Sequence, residues 1–300
     1  MAMPTFLVIG AMKCGTGALH LYLRQHPQVF MRRKGPHYFA FVGARPRFAG
    51  PQSGLNNAIT DRGDYERLFA PGEGYPARGE ASWTSMYVPE AAERIRRELP
   101  DARLIAVIRH PAERAYSGYL HTRLYGREPA ATFEEALALE PERIRENWPY
   151  PWRYRDLGYY GRQLERFFAT FPRERIRVYL QEDLRRDSLA VIRDAYAFVG
   201  VDPSFAPDVS VRPNATGVPR GPLVRAATAA SRPLRKLMRR TLPVAMHKRL
   251  RAAVARGALE RPKLDPAVRA RLTEEYVDDI RLLERLIERD LSNWLAGPAA

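Results

Sequence analysis

The sequence predicts an α/β protein, with a central parallel β-sheet between two layers of helices. Three observations lead there. Apolar runs in FLVIG (6–10) and RLIAVIR (103–109) read as buried strands, and IRVYL (176–180) as a further strand. Stretches of helical period with recognisable caps alternate with them. The first two runs lead straight into loops bearing glycine, lysine or arginine, and open parallel sheets bind ligands at the carboxyl ends of their strands.

Taken in order, FLVIG (6–10) is the first strand, and the glycine-rich turn after it opens a helix with apolar positions at Leu19, Tyr22 and Leu23 that Pro27 stops. VFMRR (29–33) reads as a short strand, and Gly35-Pro36 enforces a turn. Residues 43–63 have no periodicity and read as a loop or lid, Asp64 as the start of a short helix, and RGEASWTSMY (78–87) as a segment crossing the ligand-binding face. A helix is predicted from Pro89 through Leu99, with acids early and arginines late. RLIAVIR (103–109) is a strand, Pro111 opens the next helix, and Thr132 with Glu135 forms a capping box. A helix from Gly161 precedes the strand IRVYL, Asp187 caps a helix to about Val199, and Asp265-Pro266 begins a long amphipathic helix.

The expectation is a single domain over 1–300, with a basic loop and helical segment at 202–263 covering the ligand-binding face. Apolar residues make up 45% of the chain, enough for a substantial core. No run approaches the ~20 apolar residues a membrane span needs. One cysteine, Cys14, excludes an internal disulfide, and the reading is cytoplasmic. Of the net charge of +15, the stretch from Arg212 to Lys263 carries 14 basic residues against Glu260, or +13. Peripheral contact with an anionic membrane surface would use that charge; aromatic residues do not interleave with it, so nucleic acid is not expected.

The first loop, GAMKCGTGAL, has the parts of an anion site: glycines, a helix N-terminus and Lys13. It is P-loop-like without being a Walker A motif, because Lys13 precedes Gly15 rather than following the last glycine. The strand at 103–108 ends in Arg109 and His110 rather than an acidic magnesium ligand, which weakens a phosphotransferase reading. No metal is expected.

GAMKCGTGAL, KGPHYF and LIAVIRHPAERAYSGYLH, in that order and spacing, resemble the sulfotransferases that use 3′-phosphoadenosine-5′-phosphosulfate (PAPS), in particular the heparan-sulfate type and its bacterial relatives. Similarity continues through YLQEDL, NATGVPRG and DIRLLERLIERDLSNWL. The resemblance implies sulfonate transfer to a hydroxyl, less readily an amine, of a carbohydrate, glycolipid or natural product, with 3′-phosphoadenosine-5′-phosphate as product. It assigns Lys13 to the bridging oxygen of the leaving group. Cys14, Gly15, Thr16, Gly17 and Ala18 would cradle the 5′-phosphate, and Arg109 and Ser117 would hold the 3′-phosphate. Arg220 would contribute from a basic loop over the nucleotide. Arg114 belongs to the same motif with a structural reading open.

An attacking hydroxyl needs a base. Heparan-type enzymes carry a glutamate directly before the position of Pro36, where this chain has Gly35. His37 and Glu80 are the two candidates to replace it, and Lys34 adds positive charge nearby. Trp148, Tyr150, Trp152, Tyr154, Tyr159 and Tyr160 form an aromatic run that reads either as an acceptor surface or as packing over the core. The competing classes are a P-loop phosphotransferase and a basic protein binding nucleic acid or membrane surface.

Overall fold

Phe6–Gly10 is buried along its whole length, and every side chain of Leu104–Ile108 is shielded from solvent, as a central strand covered on both faces requires. The computed structural model describes residues 3–31, 35–210, 218–219, 259–260 and 262–296. Strand β1 (Phe6–Gly10) leads to helix α1 (Thr16–Leu23) and the two-residue strand β2 (Val29–Phe30). Then follow α2 (Arg62–Phe69), β3 (Ala77–Ala81), α3 (Thr84–Tyr87), α4 (Ala91–Glu98) and β4 (Arg103–Ile108). Next come α5 (Pro111–Leu124), α6 (Phe133–Ala138), α7 (Glu140–Arg145) and α8 (Tyr160–Thr170). Strand β5 (Ile176–Leu180) precedes α9 (Gln181–Arg186) and α10 (Ser188–Val199). The short strands β6 (Val218–Pro219) and β7 (Leu259–Glu260) pair antiparallel, and α11 (Pro266–Ile287) and α12 (Ser292–Leu295) follow.

The main sheet has the order β2-β3-β1-β4-β5, and every neighbouring pair is parallel. Helices flank it, giving the P-loop-like α/β architecture expected. The register sets Gly10 against Ala106, so the loop leaving β1 and the loop leaving β4 emerge side by side. Helix α11 closes the structure through its buried stripe Leu272, Tyr276, Ile280 and Leu283. No helix among the described residues is long and apolar enough to cross a membrane.

Two local readings change, and one left open is narrowed. Residues 77–81 are a strand inside the sheet rather than a segment crossing its face. Helix α2 is capped by Asp61, whose carboxylate accepts from Asp64 N–H at 2.8 Å, so it starts earlier than Asp64. In the aromatic run, Trp152, Tyr154 and Tyr160 are core residues, while Trp148, Tyr150 and Tyr159 are half-buried against that core. Lys34, Arg220 and nearly all of the basic stretch at 212–263 lie outside the described residues.

Candidate active site

The site begins where β1 ends. Ala11 N–H donates to Val107 O at 2.7 Å, fastening the start of the loop to β4. Lys13 and Gly15 take left-handed backbone angles, with φ of 66° and 111°. At Gly15 an added Cβ would meet only ordinary contacts, so the angle rather than space calls for glycine. Helix α1 then starts with no side-chain cap and no acid in its first turn. Ala18 N–H bonds back to Gly15 O at 2.9 Å, and the Thr16 and Gly17 amides ahead of it make no main-chain hydrogen bond among the described residues. Unpaired amides at a positive helix end are what an anion needs.

Cys14 takes part through its backbone alone. Its thiol is fully buried, donates to Met12 O at 3.6 Å and lies 3.4 Å from the Tyr160 hydroxyl; burial raises its pKa. Arg114 is wholly buried and structural, donating from Nε to Met12 O (3.3 Å) and from Nη1 to Tyr154 O (2.7 Å). It braces the loop from below.

Arg109 follows β4 directly and pairs with Glu113 one helical turn on, at 3.2 Å. Glu113, Ser117 and His121 recur every fourth residue of α5 and so share a face. Ser117 is half-buried, and its hydroxyl has no partner among the described residues. At the far end of that face His121 brings Nδ1 to 3.4 Å from Lys13 Nζ. Sequence reading missed His121, because nothing in a helical pattern tells that this turn meets a loop more than a hundred residues earlier.

Beyond Lys13 opens a cleft of about 320 Å³, lined by His37, His121, Trp83, Trp152 and Tyr125 among others. His37 has a left-handed backbone (φ 58°) and is held twice: its N–H donates to Ser82 Oγ at 2.9 Å, and Nδ1 shares a hydrogen bond with Thr84 Oγ1 at 2.8 Å. Its Nε2 faces Gly35, where an added Cβ would stand 2.8 Å away. The family glutamate's position and the imidazole thus compete for one space.

Glu80 lies behind His37 on β3, not in the cleft wall. It is 2% exposed and accepts from Ser82 Oγ at 2.6 Å, so one hydroxyl links it to the His37 backbone. Burial pushes its carboxyl up to about 8, and the Ser82 hydrogen bond lowers it only in part.

Fold and loop together define an α/β protein with a glycine-bearing turn and an uncapped helix N-terminus at the carboxyl edge of a parallel sheet, beside a cleft. The chain belongs to the sulfotransferase family, whose model matches residues 4–206. It is 30% identical over 210 residues to the human bifunctional heparan sulfate N-deacetylase/N-sulfotransferase 3, a match covering 68% of this chain and 23% of that protein. The chain thus spans about a quarter of that relative's length. A sulfotransferase from Alicyclobacillus acidocaldarius shares 33% identity and superposes with a TM-score of 0.77, covering 99% of this chain and all of the other. The sulfotransferase domain of the curacin biosynthetic pathway shares the fold at 14% identity, with a TM-score of 0.52 over 92% of this chain and 99% of that domain.

Proposed function

We propose that the chain, as a single domain, transfers a sulfonate group from PAPS to a hydroxyl of a small-molecule or glycan acceptor by in-line displacement. The observation that carries this is Lys13, set between the uncapped N-terminus of α1 and the cleft through its contact with His121. In this reading the amides of Thr16 and Gly17, with the backbone from Cys14 to Ala18, bind the 5′-phosphate. Arg109 and Ser117 bind the 3′-phosphate by charge-assisted hydrogen bonds. His37 takes the acceptor proton as its oxygen attacks sulfur. The bond from sulfur to the phosphate oxygen breaks, and Lys13 meets the charge that builds on the departing bisphosphate. Glu80 supports His37 through Ser82 rather than touching the reacting atoms.

Calorimetry tests the donor. The wild-type protein should bind 3′-phosphoadenosine-5′-phosphate far more tightly than ADP, and Arg109→Ala or Ser117→Ala should narrow the gap. Equal binding of the two nucleotides would rule the reading out. Lys13→Ala should lower kcat by about 10²–10³-fold. His37→Ala retaining the wild-type rate would remove it as the base.

A further inference from the structure

A carboxylate stands where the 3′-phosphate is proposed to bind. Arg109 Nη2 donates to Glu113 Oε2 at 3.2 Å, and Glu113 shares one face of α5 with Ser117. A phosphate brought to Arg109 and Ser117 meets Glu113 as a like charge and as a rival for the guanidinium. An acid in the first turn of α5 suits the helix dipole. The dipole does not account for the second guanidinium that reaches the same carboxylate.

That guanidinium belongs to Arg269, early in α11, whose Nε lies 3.8 Å from Glu113 Oε1. The two arginines thus take one carboxylate oxygen each. Their side chains are 13% and 15% exposed against 37% for Glu113, so solvent ions screen them less than a surface pair. At 3.8 Å the Arg269 contact is an ion pair longer than a hydrogen bond, with room to close by about 1 Å. His110 lies beside both arginines. It is buried and its Nε2 donates to Trp294 O at 3.0 Å; burial, and then the charges of Arg269 and Arg109, push its pKa down to about 4. His110 is therefore neutral near pH 7, and Glu113 faces two guanidiniums with no third cation from the histidine.

We propose that Glu113 exchanges Arg109 for Arg269 when the 3′-phosphate binds, and that Arg269 is a positioning residue of this subsite. Arg109 is then released to the phosphate while Glu113 keeps a cationic partner. A nucleotide without a 3′-phosphate has nothing to offer Arg109 in place of the carboxylate. The pair thereby sharpens selection for the bisphosphate. This inference rests on the donor reading above.

The test is calorimetry with 3′-phosphoadenosine-5′-phosphate and adenosine 5′-monophosphate, which differ only in the 3′-phosphate. Glu113→Gln should tighten the bisphosphate by roughly threefold to tenfold and move the monophosphate by less than about twofold. Arg269→Ala should weaken the bisphosphate by a similar factor, and Arg269→Lys, which keeps the charge, should recover most of that loss. In the Glu113→Gln background, Arg269→Ala should have almost no effect, because the charge it holds aside is gone. Weaker or unchanged bisphosphate binding by Glu113→Gln would overturn the exchange, since Glu113 would then only orient Arg109. A full Arg269→Ala loss in the Glu113→Gln background would make Arg269 a brace between α5 and α11, and would overturn it as well. So would equal shifts for both nucleotides. A wild-type protein that binds the bisphosphate no more tightly than the monophosphate would instead overturn the donor reading itself.

Discussion

Gly35 sets the space open to the His37 imidazole. Its φ of 71° and its place against the His37 imidazole leave no room for a side chain. Gly35→Ala should therefore displace His37, lowering kcat by roughly 10- to 100-fold while leaving bisphosphate binding by calorimetry unchanged. Loss of nucleotide affinity in that variant would instead place residue 35 within the donor site. Behind His37, Glu80 makes a separate prediction about stability. Its carboxyl is raised from 4.5 to about 8, so the folded chain holds a proton that the unfolded chain releases. That contribution is complete below the unfolded value and is lost as pH rises through about 8. Urea midpoints of wild type and Glu80→Gln should thus diverge between pH 5 and pH 9, with wild type losing stability on the alkaline side and the variant losing less. Parallel pH profiles would mean that Glu80 is ionised in the native protein.

At the scale of elements, α11 does more than cover the core. Its Asp279 accepts from the N–H groups of Gly161 (2.8 Å) and Arg162 (3.0 Å), capping α8 from a neighbouring helix. Asp279→Ala should cost about 1–2 kcal/mol, read from urea unfolding. A cost near zero would mean that water replaces the cap. This cap was invisible in the sequence because its two halves stand more than a hundred residues apart. The local caps could be read directly: Thr132 accepts from Glu135 N–H at 3.1 Å, and Asp187 from Ala190 N–H at 2.9 Å. Strand β3 was missed for a different reason. Arg78 and Glu80 look like loop chemistry, yet Glu80 is buried and Gly79 leaves space for the Phe6 ring on the adjacent strand. Strands β1 and β4 were legible because burial leaves a continuous hydrophobic run, which β5, with Arg177 exposed, lacks.

For the whole molecule, the loop Lys13–Gly17 and Arg109 were readable from local motifs, whereas the cleft was not. His37, Trp83 and the pair His121 and Tyr125 at the end of α5 come from three segments that meet only through the tertiary fold. The sheet and α11 share one buried cluster, with Leu7, Ile105, Leu180, Tyr276 and Trp294 all in it. One cooperative transition is expected, with far-UV dichroism and tryptophan fluorescence giving coincident urea curves. Separated midpoints would divide the C-terminal helices from the sheet as an independent unit.

The Arg114 brace has a kinetic consequence for the loop that follows β1. With Met12 O held by a wholly buried guanidinium and Ala11 N–H held by β4, the loop should open only when its surroundings open. Its paired amides, Ala11 and Cys14, should exchange with the slow class of the central strands rather than with surface turns, whereas those of Thr16 and Gly17 should exchange faster. Hydrogen exchange at Ala11 and Cys14 should follow that of Val107 before any nucleotide is added. The donor would then meet a surface already set, and little of its binding free energy would go into ordering the loop.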